Sequence, residues 1–189
     1  MHYTLMLWHA DHVNFGRLLT MLESEVERLR EAESPDYELM HDIMYYMTHY
    51  SDLLHHPKEE LMFARVKSRD GSTRATIDAL TAQHAELRDI GEEMVSALDA
   101  IVNGSITSRE RIETAARAYI SGLRAHMRTE EAEILPRAGQ LLTDADWADI
   151  DAAIAHVDDP LFGAHVQERY AALRDEINRQ AQANRAGAG

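Results

Sequence analysis

Two stretches decide the fold: His55-His56-Pro57-Lys58-Glu59-Glu60 and, 71 residues on, His126-Met127-Arg128-Thr129-Glu130-Glu131. Each reads His-x-x-x-Glu-Glu, and a step of four is close to one helical turn, so the histidine and the first glutamate share a face. A further histidine precedes each stretch, and these two, His12 and His84, are 72 residues apart. The apolar residues that follow them match at plus three, plus six and plus ten: Phe15, Leu18 and Leu22 in one half, Leu87, Ile90 and Met94 in the other. A helix pair used twice explains such a repeat.

Working outward, steps of three and four between apolar residues define four long helices, at about 4–32, 36–67, 73–103 and 108–142. Ser34-Pro35, Asp70-Gly71-Ser72 and Asn103-Gly104-Ser105 separate them. Pro57 interrupts the second, which predicts a kink between Leu53 and Pro57. Thr143 with Asp146 reads as an N-cap with an acid three residues on, opening a short helix through Trp147. Asp159-Pro160 reads as a cap and first helical residue, opening a last helix through Tyr170 and Leu173. The expected fold is all-α: an up-and-down four-helix bundle over residues 1–142, an appendage of two short C-terminal helices over 143–182 packed on it, and a frayed tail over 183–189.

In an antiparallel hairpin, residues equally far from the turn lie at one height. His12 and His55 are 22 and 21 residues from Ser34, and His84 and His126 are each 21 from Ser105, so all four reach one level. Glu59 and Glu130 lie one turn along on the same faces. No lysine or arginine occupies a matching inward position, and buried carboxylates without a positive partner are costly. A metal is the natural counter-charge. Imidazole nitrogen with carboxylate oxygen suits iron or manganese, and suits zinc less, since four tetrahedral ligands would leave part of the set unused. The candidate ligands are His12, His55, Glu59, His84, His126 and Glu130.

Composition removes other chemistries. The chain of 189 residues has no cysteine, which excludes disulfides, thiolate zinc sites and iron-sulfur clusters. A net charge of −14 repels nucleic acids and anionic membrane surfaces. No apolar run approaches the length of a membrane span, and Met1 to Leu7 lacks the basic start of a signal peptide, so a cytoplasmic location is expected. The acidic run from Glu23 to Glu33 reads as solvated helix face. His2, His41, His49, His156 and His165 have no level-matched acid and read as surface or satisfied core positions.

With these residues in place, the chain resembles the hemerythrin-like, or HHE cation-binding, family of non-haem di-iron four-helix bundles, over roughly residues 4–140. The resemblance rests on His12, on His55 with Glu59, on His84, and on His126 with Glu130; the stretches Tyr50–Phe63 and Asp158–Gly163 also look like a bacterial branch. It implies two iron ions bridged by Glu59, Glu130 and a solvent-derived oxygen. Two features depart from the oxygen carriers of the family. Those place two histidines one turn apart on the third helix, whereas Arg88 follows His84 here; and their fourth-helix acid is an aspartate five residues after the histidine, where this chain has Glu130 at four. The site is then short of a fifth histidine unless His9, His56, Tyr50 or Tyr119 supplies a ligand, and water is the other occupant of that position. In the second helix, His56 with Glu60 competes with His55 and Glu59, the pairing that matches the other half.

The function expected from the altered ligand set is reaction with a small oxidant, namely peroxide, oxygen or nitric oxide, in oxidative or nitrosative stress defence, with catalase-like peroxide decomposition ahead of oxygen transport. The alternative is a non-catalytic oxygen or iron sensor, or a metal-binding module acting through a partner. No proton-transfer residue is assigned by the sequence.

Overall fold

The structure, a computed structural model, describes residues 2–31, 33–154 and 157–187; His156 therefore lies outside the described residues. The described residues are helical with no strand. Helix α1 spans Tyr3–Arg30, opened by His2, whose ring accepts from the Thr4 amide. Helix α2 spans Tyr37–Tyr46 behind the N-cap Asp36, and runs through a π-helical stretch, Met47–His55, into α3, His56–Arg69. Helix α4 spans Arg74–Val102. Helix α5, Arg109–Thr129, starts behind the N-cap Ser108 and continues through a second π stretch, Glu130–Ile134, into α6, Leu135–Leu141. Helix α7, Asp144–Ala153, opens on the expected capping box of Thr143 and Asp146.

The chain divides into two compact units at residue 156. In the first, α1 packs on α5, α2 on α4, and α4 on α5, an arrangement compatible with a four-helix bundle. The core fills from apolar stripes on each helix. Leu5, Trp8, Phe63, Val66, Ile77, Leu80, Leu135, Trp147 and Ile150 form one continuous cluster, so α7 closes one end of this unit. Arg65 and Arg69 of α3 reach Asp146 of α7 at 3.8 and 2.6 Å. Arg124 and Arg117 of α5 lace to Glu23 and Glu27 of α1, as a solvated face would. Glu25 departs from that expectation: it is buried, and its carboxylate accepts from the Asp36 amide at 2.7 Å, pinning the turn between α1 and α2.

The kink expected at Pro57 is instead a π stretch of nine residues. Proline donates no backbone hydrogen bond and crowds the turn before it. The chain answers by widening, so that the His56 amide bonds to the Ser51 carbonyl, five residues back. The second π stretch likewise ends just before a proline, Pro136, with the Leu135 amide on the Glu130 carbonyl. One consequence is an inversion of apolar and polar positions: Leu53 is 61% exposed while Asp52 is 4% exposed.

Gly91 of α4 marks where this widened segment approaches a neighbour. A Cβ there would stand 2.8 Å from Thr48 Cγ2 and 3.4 Å from the Tyr119 ring. Thr48 cannot easily yield, because its hydroxyl is bonded to the Met44 carbonyl at 3.0 Å. Gly91→Val should therefore lower stability by about 1–3 kcal/mol, measured by urea unfolding of the metal-free protein; an unchanged midpoint would show that the segment gives way freely.

The second unit corrects one helix start. Asp159 caps a turn rather than a helix, accepting from the amides of Leu161 and Phe162 at 2.8 Å each. The Gly163 amide then bonds to the Asp159 carbonyl, and a Cβ at 163 would lie 2.4 Å from that oxygen, so only glycine fits. Helix α8, Ala171–Gly187, begins after a single 3-10 turn at Glu168–Tyr170, with Tyr170 and Leu173 buried, and continues beyond residue 182.

Candidate metal centre

Four helical runs of the first unit contribute to one buried polar cluster. Helix α1 supplies His12, α4 supplies His84, and α5 with its π stretch supplies His126 and Glu130. The junction between the first π stretch and α3 supplies His55, His56 and Glu59. All seven are buried, and Glu59 and Glu130 are 0% exposed. Successive residues of a regular α-helix point about 100° apart, so two adjacent histidines facing the same interior need an altered turn. The π stretch provides it.

The Nε2 atoms of four histidines converge. His55 and His12 lie 3.3 Å apart through Nε2, and His84 and His126 lie 2.9 Å apart. Between these pairs sit the two carboxylates. Glu59 Oε1 is 3.1 Å from His55 and 3.6 Å from His12, while its Oε2 is 3.6 Å from His84. Glu130 Oε1 is 3.1 Å from His126, and its Oε2 is 3.5 Å from His12. Each carboxylate thus touches both pairs. Two groups have ligand atoms within 4.8 Å of one another, His12 with His55 and Glu59, and His56 with Glu59, His84 and His126.

The outward nitrogens of the same four histidines are each held. Nδ1 of His12 meets Glu131 at 2.9 Å, that of His55 meets Asp11 at 2.9 Å, and that of His84 meets Glu60 at 2.7 Å. His126 Nδ1 meets Gln83 Oε1 at 3.1 Å. An acceptor on Nδ1 fixes the proton there and leaves the Nε2 lone pair facing inward, the arrangement that metal-bound imidazoles use. His56 is held differently. Its Nε2 is 3.0 Å from Ser51 Oγ, its Nδ1 is 3.1 Å from Asp52 Oδ1, and its ring stacks on His84 with centroids 4.2 Å apart.

The electrostatics show how much positive charge the two carboxylates require. Burial opposes the charged form of His12, but Glu131 and Glu59 outweigh it and push its pKa up to about 9. Burial likewise opposes charge on His55, where Glu59 and Asp11 prevail and carry it to about 10. His84 reaches about 9 against burial through Glu59 and Glu60. Glu59 is held well below the usual carboxylate range, since the charge of His55 and the approach of His12 and His84 overcome burial. Glu130 moves the other way, raised by burial and by the charge of Glu59. All four oxygens of Glu59 and Glu130 nevertheless lack a hydrogen-bond partner. Buried acceptors in that condition are rare and costly, and inward imidazole lone pairs beside them complete the donor set of a cation site. The residues present therefore fit metal cations.

The sequence profile of the hemerythrin HHE cation-binding domain matches residues 4–138. The chain belongs to that family. The matched span contains every residue of the cluster. No curated protein and no solved structure matches the chain.

Within this hemerythrin-type domain, all six residues singled out from the sequence converge, and His56 joins them. Glu60 faces outward to His84 Nδ1 and Thr81, so His56 meets Glu59 rather than forming a separate pair with Glu60. His9 is no part of the cluster: it is exposed and bonds to Glu131 at 3.0 Å. Tyr50 lies against Tyr46, with centroids 5.3 Å apart. Tyr119 is buried with an unpartnered hydroxyl, and burial beside Asp52 raises its pKa well above the usual value. Of the remaining histidines, His2 stacks on Trp147 and His49 on Tyr45, His41 lies 3.7 Å from Asp42, and His165 is exposed. Sequence reasoning missed Asp11, Gln83, Ser51 and Asp52. Asp11 and Gln83 stand immediately before His12 and His84, the same offset in both halves of the repeat, which is a signal that was available.

Proposed function

We propose that the chain is a non-haem di-iron protein that reacts with peroxide, oxygen or nitric oxide, with peroxide decomposition as its leading activity in defence against oxidants. The observation that carries this reading is the pair of fully buried carboxylates, with no hydrogen-bond partner, placed between two pairs of inward imidazoles. In an up-and-down four-helix bundle, His12 and His55 would hold one ion and His84, His126 and His56 the other, with Glu59 and Glu130 shared. Two irons supply two-electron redox chemistry toward small oxidants; manganese or zinc would fit the donors less well.

The chain's own residues do the rest. Asp11, Glu60, Gln83 and Glu131 orient the imidazoles and keep their basic nitrogens inward. Trp8, Phe15 and Phe63 pack on the histidine rings and exclude water from that side. Asp52, which burial pushes up to about 7 against the charge of Arg88, can hold a proton at Oδ1, 3.1 Å from His56 Nδ1.

The test is metal analysis and turnover on protein reconstituted with ferrous iron in air. Two irons per chain, a near-ultraviolet band of a bridged ferric pair, and oxygen release from added peroxide are expected. Fewer than one iron per chain would overturn the metal assignment. Full loading without peroxide turnover, together with a reversible oxygen complex of the reduced protein, would overturn the activity and favour the sensor or module reading.

A further inference from the structure

One side of the cluster opens into a cavity of about 440 Å3. Its lining runs from the buried rings of His56 and His84, past Pro57 and Glu60, to the exposed Thr81 and Arg88. Arg88 stands one turn after His84 on α4. Among the described residues it makes no hydrogen bond or ion pair, whereas Arg65, Arg69, Arg111, Arg117, Arg124 and Arg137 each pair with a carboxylate. The one acid in the lining is already engaged: Glu60 accepts from Thr81 at 2.9 Å and meets His84 Nδ1 at 2.7 Å. A guanidinium without a hydrogen bond or ion pair, its charge felt by the buried Asp52, thus stands at the mouth of a cavity whose floor is two histidines of the cluster.

Charge decides what such a mouth admits. The chain as a whole carries −14 and repels anions, so a local cation at a concave opening has a large effect on which small anions enter. A guanidinium also recognises flat oxyanions through two parallel hydrogen bonds, which a point charge cannot do. We infer that this cavity is an anion-entry subsite in which Arg88 captures a small monovalent oxyanion and delivers it to the face of the centre formed by His56 and His84. Delivery rests on the metal-centre reading above; capture at Arg88 does not.

Two measurements separate those parts. Nitrite titrated into the metal-free protein, followed by proton–nitrogen NMR, is expected to give saturable shifts at the Thr81 and Ala85 amides and at Arg88 Nε. Arg88→Gln should weaken that binding about tenfold or more, and Arg88→Lys should weaken it less. Shifts unchanged by Arg88→Gln, or spread over the other arginines, would show an adventitious ion only and overturn the proposal. In the iron-loaded protein, nitrite association followed by stopped-flow absorbance should slow about tenfold in Arg88→Gln, while the rate for neutral nitric oxide stays the same. Nitrite rates equal in the two proteins would overturn delivery. Failure to load iron would instead count against the metal centre, and the NMR titration would still decide capture.

Discussion

Glu59→Ala is expected to reduce bound metal from two ions per chain to fewer than one, because its carboxylate is the group that touches His12, His55 and His84 together. Removing it deprives both halves of the cluster of an oxygen donor and leaves imidazoles facing one another at 3.3 and 2.9 Å. Glu131→Ala is the matched control. Glu131, in the second π stretch, touches the cluster only through His12 Nδ1 and otherwise bonds the exposed His9, so its loss should weaken metal binding by about tenfold to a hundredfold without abolishing it. Metal content by plasma emission, with far-ultraviolet circular dichroism to confirm the helical fold of both variants, makes the comparison. Equal losses in the two proteins would show that the shared-carboxylate assignment is wrong.

The second large effect is a strong, opposed pH dependence of stability and metal binding. In the metal-free protein, His12, His55 and His84 have pKa values raised to about 9, 10 and 9 from an ordinary value of 6.5. Groups raised in this way contribute stability that is fully present below pH 6.5 and is lost as pH rises through 9 and 10. Glu59, held low, contributes in the opposite sense: its share is present above its unfolded value of 4.5 and is lost as pH falls through its lower folded value. The metal-free protein should therefore lose thermal stability steadily as pH rises from about 6.5 toward 10, while His56, whose pKa burial holds well below 6.5, opposes further gain below that value. Metal ions must displace the protons on the same three histidines. Combined affinity for the two ions should thus rise by up to about three decades per pH unit near neutrality, one for each proton released. Calorimetric titration in buffers of different ionisation enthalpy counts those protons. Metal binding that releases no protons at pH 7 would contradict the raised pKa values of His12, His55 and His84.

The loading experiment, the Gly91→Val comparison and the Arg88 titrations address the metal, the packing of α4 on the first π stretch, and the entry side respectively. They are independent, because Gly91 and Arg88 supply no candidate ligand. A failure at one leaves the others interpretable.

Much of the arrangement is legible in the residues alone, for identifiable reasons. His12, His55, His84 and His126 align because helical rise is constant, so counting to Ser34 and Ser105 places them at one height without any tertiary information. Glu59 and Glu130 follow their histidines by one turn, and the capping box of Thr143 and Asp146 is a local hydrogen-bond pattern carried by two side chains. Those inferences need only the geometry of a single helix. The histidines and glutamates among them lie within residues 4–138, the span that matches the hemerythrin HHE family.

What tertiary structure decided lies where a helix departs from regular geometry or where distant segments meet. The run from Met47 to His55 could be read as a kinked α-helix, but its π form rotates Leu53 outward, brings Ser51 and Asp52 inward, and lets His55 and His56 reach the interior side by side. A single proline signals that something must yield; whether the chain bends or widens depends on what α1 and α4 present across the interior. Asp159 likewise begins a turn rather than a helix: after one bond from the Gly163 amide to its carbonyl, the chain closes with the Gln167 amide on the Pro160 carbonyl at 2.8 Å, a pairing no helix makes. The Nδ1 partners of the histidines and the cavity beneath Arg88 join residues far apart along the chain, and no periodicity within one helix encodes such distances. Periodicity specifies which face of a helix turns inward; packing against the other helices specifies which atoms then meet.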